Sequence, residues 1–173
     1  SNMPITREAI AQWIQAYAAA IAEQKDSLTQ LDMAIGDGDH GENMHRGFQA
    51  VLAKLPSVAD KDIGTLLKTV AMTLISTVAG GSGPLYATLF LQMATQTSGK
   101  QELAPAELAG ALKAGVDGII TRGKAALGDK TMIDALQPAI AALQQGLGQG
   151  GGLAEALNQA ALAAEQGRQA TIP

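Results

Sequence analysis

The sequence predicts an all-α protein, an antiparallel helical bundle or barrel of about seven to eight amphipathic helices. Apolar residues recur at helical spacing over long stretches. No stretch alternates apolar and polar residues long enough to argue for a strand, and the filler between apolar positions is mostly alanine, a strong helix former. A length of 173 residues with 47% hydrophobic composition suits one domain, read as residues 3–173.

The first helix is read from Ile10, Trp13, Ile14, Tyr17, Ala18 and Ile21, which fall at i, i+3, i+4, i+7, i+8 and i+11 on one face. A second begins near His40 and carries Met44, Phe48, Val51, Leu52 and Leu55, with Pro56 stopping it. The third follows the acidic start Asp60-Lys61-Asp62, with Ile63, Leu66, Leu67, Val70, Ala71, Leu74, Ile75 and Val78 forming its stripe. Further helices are expected from Pro84 to about Thr97, Pro105 to about Arg122, Thr131 to about Leu147, and Leu153 to about Gln166. Thr131-Met132-Ile133-Asp134 has the form of a capping box, and the Gly-rich run from Gly146 to Gly152 reads as a connection within the domain. The five aromatic residues are few, which leaves the core to Leu, Ile, Ala and Val.

Twelve basic and 16 acidic residues give a net charge of −4, without the electrostatic footprint that nucleic acid or an anionic membrane requires. Any phosphate bound here needs a local device. No apolar run approaches the roughly 18 residues that span a bilayer, and no secretory leader is evident, so a soluble, cytoplasmic protein is expected. Cysteine is absent, which excludes disulfides and thiolate metal sites.

Between the first two helices the sequence places an acidic loop, Leu31 to Asn43, containing Asp32, Asp37 and Asp39. Three carboxylates so close repel one another unless a cation neutralises them, and Gly36, Gly38 and Gly41 let the backbone turn enough to converge them. Oxygen donors completed by phosphate and water describe magnesium better than calcium. The alternative is a solvated acidic turn, and Asp39 alone is equally a helix cap. Gly36-x-Gly38-x-x-Gly41 fits the dinucleotide fingerprint only as spacing, because no strand precedes it and two aspartates inside the loop would repel a pyrophosphate. An EF-hand beginning at Asp37 would need glutamate where Phe48 stands. His40 can bond a phosphate oxygen from the start of its helix or serve as a cap, and Asn43, one turn on, can present its amide to the same side or be solvated. His45 is read as structural.

A second loop, Ala79-Gly80-Gly81-Ser82-Gly83, precedes a helix opened by Pro84. Its glycines can aim backbone N–H groups at an anion beside the positive helix end, although Gly-rich turns between helices are common. It lacks the Lys-Ser/Thr ending of a Walker loop. A third segment, Arg122 to Asp134, ends one helix and starts another; its charges read as solvated, and Met132 as core or as a thioether able to pack on a purine.

Together and in this order, the segments resemble the L subunits of dihydroxyacetone kinases. The resemblance runs from Ile5 to Ile172. It rests on Leu-Asp-x-x-Ile-Gly-Asp-x-Asp-His-Gly from Leu31, Gly-x-Ser-Gly-Pro-Leu from Gly80, and Arg-Gly-Lys-Ala through Gly-Asp-Lys-Thr-Met from Arg122. Leu55-Pro56 and Ala59-Asp60-Lys61-Asp62-Ile63-Gly64 add to it. The resemblance implies a barrel of antiparallel helices holding ADP or ATP at one end through two magnesium ions. Asp32, Asp37 and Asp39 then match the metal ligands, with no further catalytic group required. His40, Gly41, Glu42, Asn43, Gly81, Ser82, Gly123 and Met132 match the nucleotide-binding positions.

In the phosphotransferase-linked members, bound ADP is rephosphorylated by a phosphohistidine on the M subunit, and the phosphoryl group passes to dihydroxyacetone on the K subunit. In ATP-dependent members the same domain lies behind a K domain; a start at Met3 favours the separate subunit. A regulatory partnership with a transcription factor is a further implication. The family continues past the position matching Pro173 with a Gly/Arg-rich segment and a last helix that close over the nucleotide, and this sequence stops short of both.

Overall fold

A computed structural model of the chain describes residues 4–35, 40–78 and 82–126. Five α-helices account for most of them: α1 (Arg7–Ile35), α2 (His40–Lys54), α3 (Ile63–Thr77), α4 (Ser82–Gln96) and α5 (Pro105–Ala126). A 3₁₀ turn, Leu55–Val58, follows α2, its proline sitting where the missing N–H has no helical partner to lose. The expected helices from Thr131 and Leu153, the Gly146–Gly152 connection and any closure into a barrel lie outside the described residues.

Each helix packs against the next in sequence, α1 on α2, α2 on α3, α3 on α4, and α4 on α5. Short connections between such neighbours make them antiparallel. Very close approach occurs where glycine removes the side chain. A Cβ on Gly47 of α2 would stand 2.5 Å from Val78 just past α3, and one on Gly115 of α5 would stand 2.5 Å from Leu89 of α4.

The apolar stripes face one core. Ile10, Trp13, Ile14, Tyr17 and Ile21 of α1 are fully buried, as are Met44 and Phe48 of α2 and Ile63, Leu67, Val70 and Leu74 of α3. Two corrections concern side chains. Ile75 is 43% exposed despite its place in the expected stripe, because it lies at the stripe's edge, one step beyond Leu74. The aromatic residues, though few, do not leave the core to the aliphatics. Trp13, Tyr17, Phe48 and Phe90 form one layer across α1, α2 and α4, with Tyr17 stacked on Phe48 at a centroid distance of 4.7 Å and Trp13 tilted against Phe90 at 5.7 Å.

Two corrections concern elements. A short antiparallel ribbon joins β1 (Ile5–Thr6) to β2 (Glu102–Leu103), pairing Ile5 with Leu103 and Thr6 with Glu102. Two-residue strands are too short to show any alternation. The first helix also absorbs Leu31 to Ile35, which the sequence reading assigned to the acidic loop. Leu28, Leu31 and Ile35 continue helical spacing, and nothing breaks the helix before Gly36.

The ribbon marks one end of the molecule, where α1, α3 and α5 all begin. Arg7 N–H donates to the Gln101 carbonyl at 3.2 Å, and Ile63 N–H to the Lys100 carbonyl at 2.8 Å. Asp62 caps α3, accepting from Thr65 N–H at 3.3 Å, and its carboxylate also accepts Gly99 N–H at 2.7 Å from the α4–α5 connection. No helix among the described residues is long and apolar enough to cross a membrane.

Candidate functional site

The opposite end is where α1, α3 and α5 finish and where α2 and α4 start. The described parts of the three segments singled out in the sequence, residues 31–35 with 40–43, 82–83 and 122–126, therefore lie at one end of the helical row. The aromatic layer supplies a common reference level. Phe48 lies eight residues into α2 from His40, and Phe90 eight residues into α4 from Ser82, about 12 Å of helix in each case. Gly115 of α5 packs on Leu89 near the same level, and Gly123 follows it by eight residues. His40, Ser82 and Gly123 thus stand at matching height on three helices. Asp32 follows Tyr17 by fifteen residues, about 22 Å if α1 is straight, so α1 overshoots that height by about two turns.

Of the expected site residues, Asp32 lies in the last turn of α1, His40 to Asn43 form the first turn of α2, Ser82 opens α4, and Gly123 lies in the last turn of α5. Pro84 is the third residue of α4 rather than its opener. It remains in the first turn, where the backbone N–H groups have no intrahelical partner. Asp37, Asp39, Gly81 and Met132 lie outside the described residues. No cluster of three or more His, Asp or Glu side chains able to hold a metal occurs among the described residues.

Asn43 is buried, and its Oδ1 accepts the Arg46 guanidinium at 2.7 Å. This bond leaves the amide hydrogens as what Asn43 can offer a ligand. Arg46 was not singled out from the sequence, although its i+3 spacing from Asn43 places the two on one face of a helix. Glu42 is exposed. His45 is half-buried, and its Nδ1 has no hydrogen-bond partner among the described residues.

Two like-directed dipoles define the electrostatics here. The first N–H groups of α2 and α4 have no partner within their own helices, and these starts are the positive ends of the macrodipoles, an arrangement that favours an anion. The carboxyl ends of α1 and α5 carry the opposite sign and suit a cation. Beneath them the aromatic layer is buried, and burial pushes the Tyr17 phenol far above its usual range, so it stays neutral.

The family model described as the DAK2 domain matches residues 34–173. The chain belongs to the DAK2 domain family. It is 44% identical over 170 residues to the ADP-binding subunit DhaL of the phosphoenolpyruvate-dependent dihydroxyacetone kinase of Escherichia coli, covering 98% of this chain and 81% of that protein. A Listeria innocua counterpart, subunit DhaL of kinase 2, is 44% identical over 133 residues, covering 76% of this chain and 62% of the relative. Human triokinase/FMN cyclase is 36% identical over 150 residues, but there the alignment spans 85% of this chain and only 25% of the longer protein. The DAK2 match begins at Ala34, so it takes in Asp37, Asp39 and every later site position.

Proposed function

We propose that this DAK2 chain is the ADP-carrying L subunit of a phosphoenolpyruvate-dependent dihydroxyacetone kinase. In this reading the chain would hold ADP with two magnesium ions, and the nucleotide would supply the diphosphate that takes a phosphoryl group from a phosphohistidine on an M subunit and yields it to dihydroxyacetone on a K subunit. The 44% identity to a protein named as such a subunit, over nearly the whole of this chain, carries the reading. The longer kinases offer a second reading as a nucleotide domain for ATP-dependent transfer. The larger share and higher identity of the E. coli alignment favour the first.

The donor set fits the implied group. Asp32, Asp37 and Asp39 would hold magnesium through carboxylate oxygens, the donors this hard ion prefers, and no soft ligand competes. When bound, magnesium and nucleotide supply charge neutralisation for the phosphates and the diphosphate that accepts and gives up the phosphoryl group. The chain's own residues supply position. The starts of α2 and α4 offer backbone N–H groups to phosphate oxygens, with His40 and Ser82 at their tips. Arg46 fixes the Asn43 amide so that its hydrogens are available without rotamer search. The aromatic layer keeps that end on a rigid, water-free floor.

Thermal melting tests the reading directly. Magnesium with ADP in large excess over its Kd should raise the midpoint by several degrees, since a ligand binding only the native state at about 100 Kd adds about 2.7 kcal/mol. EDTA should remove the gain. An equal shift by ADP with and without divalent metal would overturn the carboxylate bridge, and dihydroxyacetone phosphorylation by the purified chain alone would overturn the division of labour between subunits.

A further inference from the structure

The face of α3 turned away from the core carries none of the expected site residues, and its composition is unusual for this acidic chain. Met72 is 50% and Ile75 43% exposed, and they are the exposed large hydrophobic residues among the described ones. A shallow groove of about 370 Å³ runs beside them, lined by Lys54 at the end of α2 and by Thr65, Lys68, Thr69, Met72 and Ser76 of α3.

The groove is more apolar than its residue names suggest. Thr69 Oγ1 donates to the Thr65 carbonyl at 2.9 Å, Thr73 Oγ1 to the Thr69 carbonyl at 2.7 Å, and Ser76 Oγ to the Thr73 carbonyl at 3.0 Å. With these donors spent on the helix's own backbone, the threonines offer mainly methyl groups to anything lying in the groove. A small polar ligand would find few hydrogen-bond donors besides the lysines.

Its charge has one sign. Lys54 and Lys68 make no ion pair among the described residues, and α3 contains no acidic residue. The nearby Asp62 carboxylate is engaged by Thr65 and Gly99. A positive strip beside exposed apolar side chains, on a chain of net charge −4, is complementary to an apolar stripe flanked by carboxylates. From Thr65 to Ser76 the groove follows twelve residues of α3, a rise of about 16 Å or three helical turns. That length suits a helix laid along a groove.

We propose that the outer face of α3, with the end of α2, is a docking surface for an acidic amphipathic helix of a partner protein. Met72 and Ile75 receive the partner's apolar stripe, and Lys54 and Lys68 receive its flanking carboxylates. The surface lies along the side of the helical row, so the proposal stands independently of the nucleotide reading.

The absence of cysteine makes the test clean, because Met72→Cys creates a single thiol in the chain. The rate of thiol modification is followed while the full chain is titrated with a synthetic helical peptide of about 15 residues, long enough to span the groove, bearing leucines at i, i+3, i+4 and i+7 flanked by glutamates. The same peptide with lysine in place of glutamate is the comparison. Saturable protection of about tenfold or more is expected from the acidic peptide alone. Lys54→Glu combined with Lys68→Glu should weaken that binding at least about tenfold, and added salt should weaken it in the parent. Circular-dichroism melting establishes that each variant is folded. Equal protection by both peptides, no protection, or unchanged binding by the charge-reversed variant would overturn the proposal. So would a thiol already protected without peptide: protection rising with protein concentration would identify a second copy as the occupant, and protection independent of concentration the chain's own residues.

Discussion

The two ends of the helical row use polar groups differently. At the ribbon end they satisfy one another. Thr6 Oγ1 accepts Ala9 N–H at the start of α1, Asp62 caps α3 and ties it to Gly99, and Glu107 reaches back to accept Ala104 N–H at the start of α5. Lys100 then pairs with Glu107, so the last connection is held to the helix it precedes. At the other end, α2 opens on His40-Gly41-Glu42 and α4 on Ser82-Gly83-Pro84, with carboxylates gathered in sequence just before α2. One end is closed by mutual bonding, and the other is the end at which the proposed function seats its ligand. Stability and binding can therefore be perturbed separately.

The largest effect is expected at the binding end. Asp37→Asn keeps size and hydrogen-bonding capacity but removes one charge from the proposed metal site. In an assay reconstituted with K and M subunits, transfer should fall about a hundredfold or more. The metal-free melting midpoint should stay equal to the parent's or rise slightly, because one of three mutually repelling charges is gone. Full transfer activity in this variant, or loss that tracks unfolding, would show Asp37 to be a cap and erase the contrast between the ends.

Gly64→Ala probes the closed end. The new Cβ would lie 2.7 Å from the Ser98 Cα, a backbone atom with little freedom to yield. A loss of about 1–3 kcal/mol is expected by chemical denaturation, with the ADP-dependent shift retained in the folded fraction. Gly110→Ala is its control, since a side chain there meets open space within α5, and the substitution should add up to about 1 kcal/mol. Destabilisation of similar size at both positions would mean that the close contact at Ser98 is not the cause.

Asp62→Ala should have the smaller effect, about 1 kcal/mol, or a fall of about 2–4 °C in the midpoint at neutral pH. The hydrogen bond from the Thr65 hydroxyl, joined by the Gly99 and Thr65 N–H groups, holds the Asp62 carboxyl below its ordinary range. A carboxyl with a lowered folded pKa stabilises above its unfolded value, about 3.9, and that contribution disappears as pH falls through the folded value. The gap between parent and variant should therefore be full at pH 7 and narrow below about pH 4. A gap that widens in acid would refute the assigned role.

Much of the fold was legible because core-facing helices repeat their apolar positions. The stripe from Ile10 to Ile21 and that from Ile63 to Leu74 are buried as read. What failed did so for physical reasons. The ribbon pairs Ile5 with Leu103, a contact between distant residues that no local pattern announces. α1 runs past the expected start of the acidic loop because Leu28, Leu31 and Ile35 extend its helical period up to Gly36. The candidate site is a reading from residue types, to which the antiparallel packing adds the shared height of His40, Ser82 and Gly123. Arg46 carries no distinct signal in the sequence, because a solvent-facing arginine is ordinary on a helix; it is exposed here too, yet it bonds a buried asparagine.

The ribbon between Ile5 and Leu103 also bears on how the chain folds. Most of the helix-to-helix packing that builds the row is between sequence neighbours, which favours rapid formation of local hairpins. The ribbon instead closes a loop of nearly the whole described chain, so its entropic penalty is met only after the intervening helices have stacked. It is expected to form after the transition state, with substitutions at Ile5 or Leu103 speeding unfolding while leaving the folding rate nearly unchanged. Two residue pairs thus govern how long the molecule stays folded more than how fast it gets there.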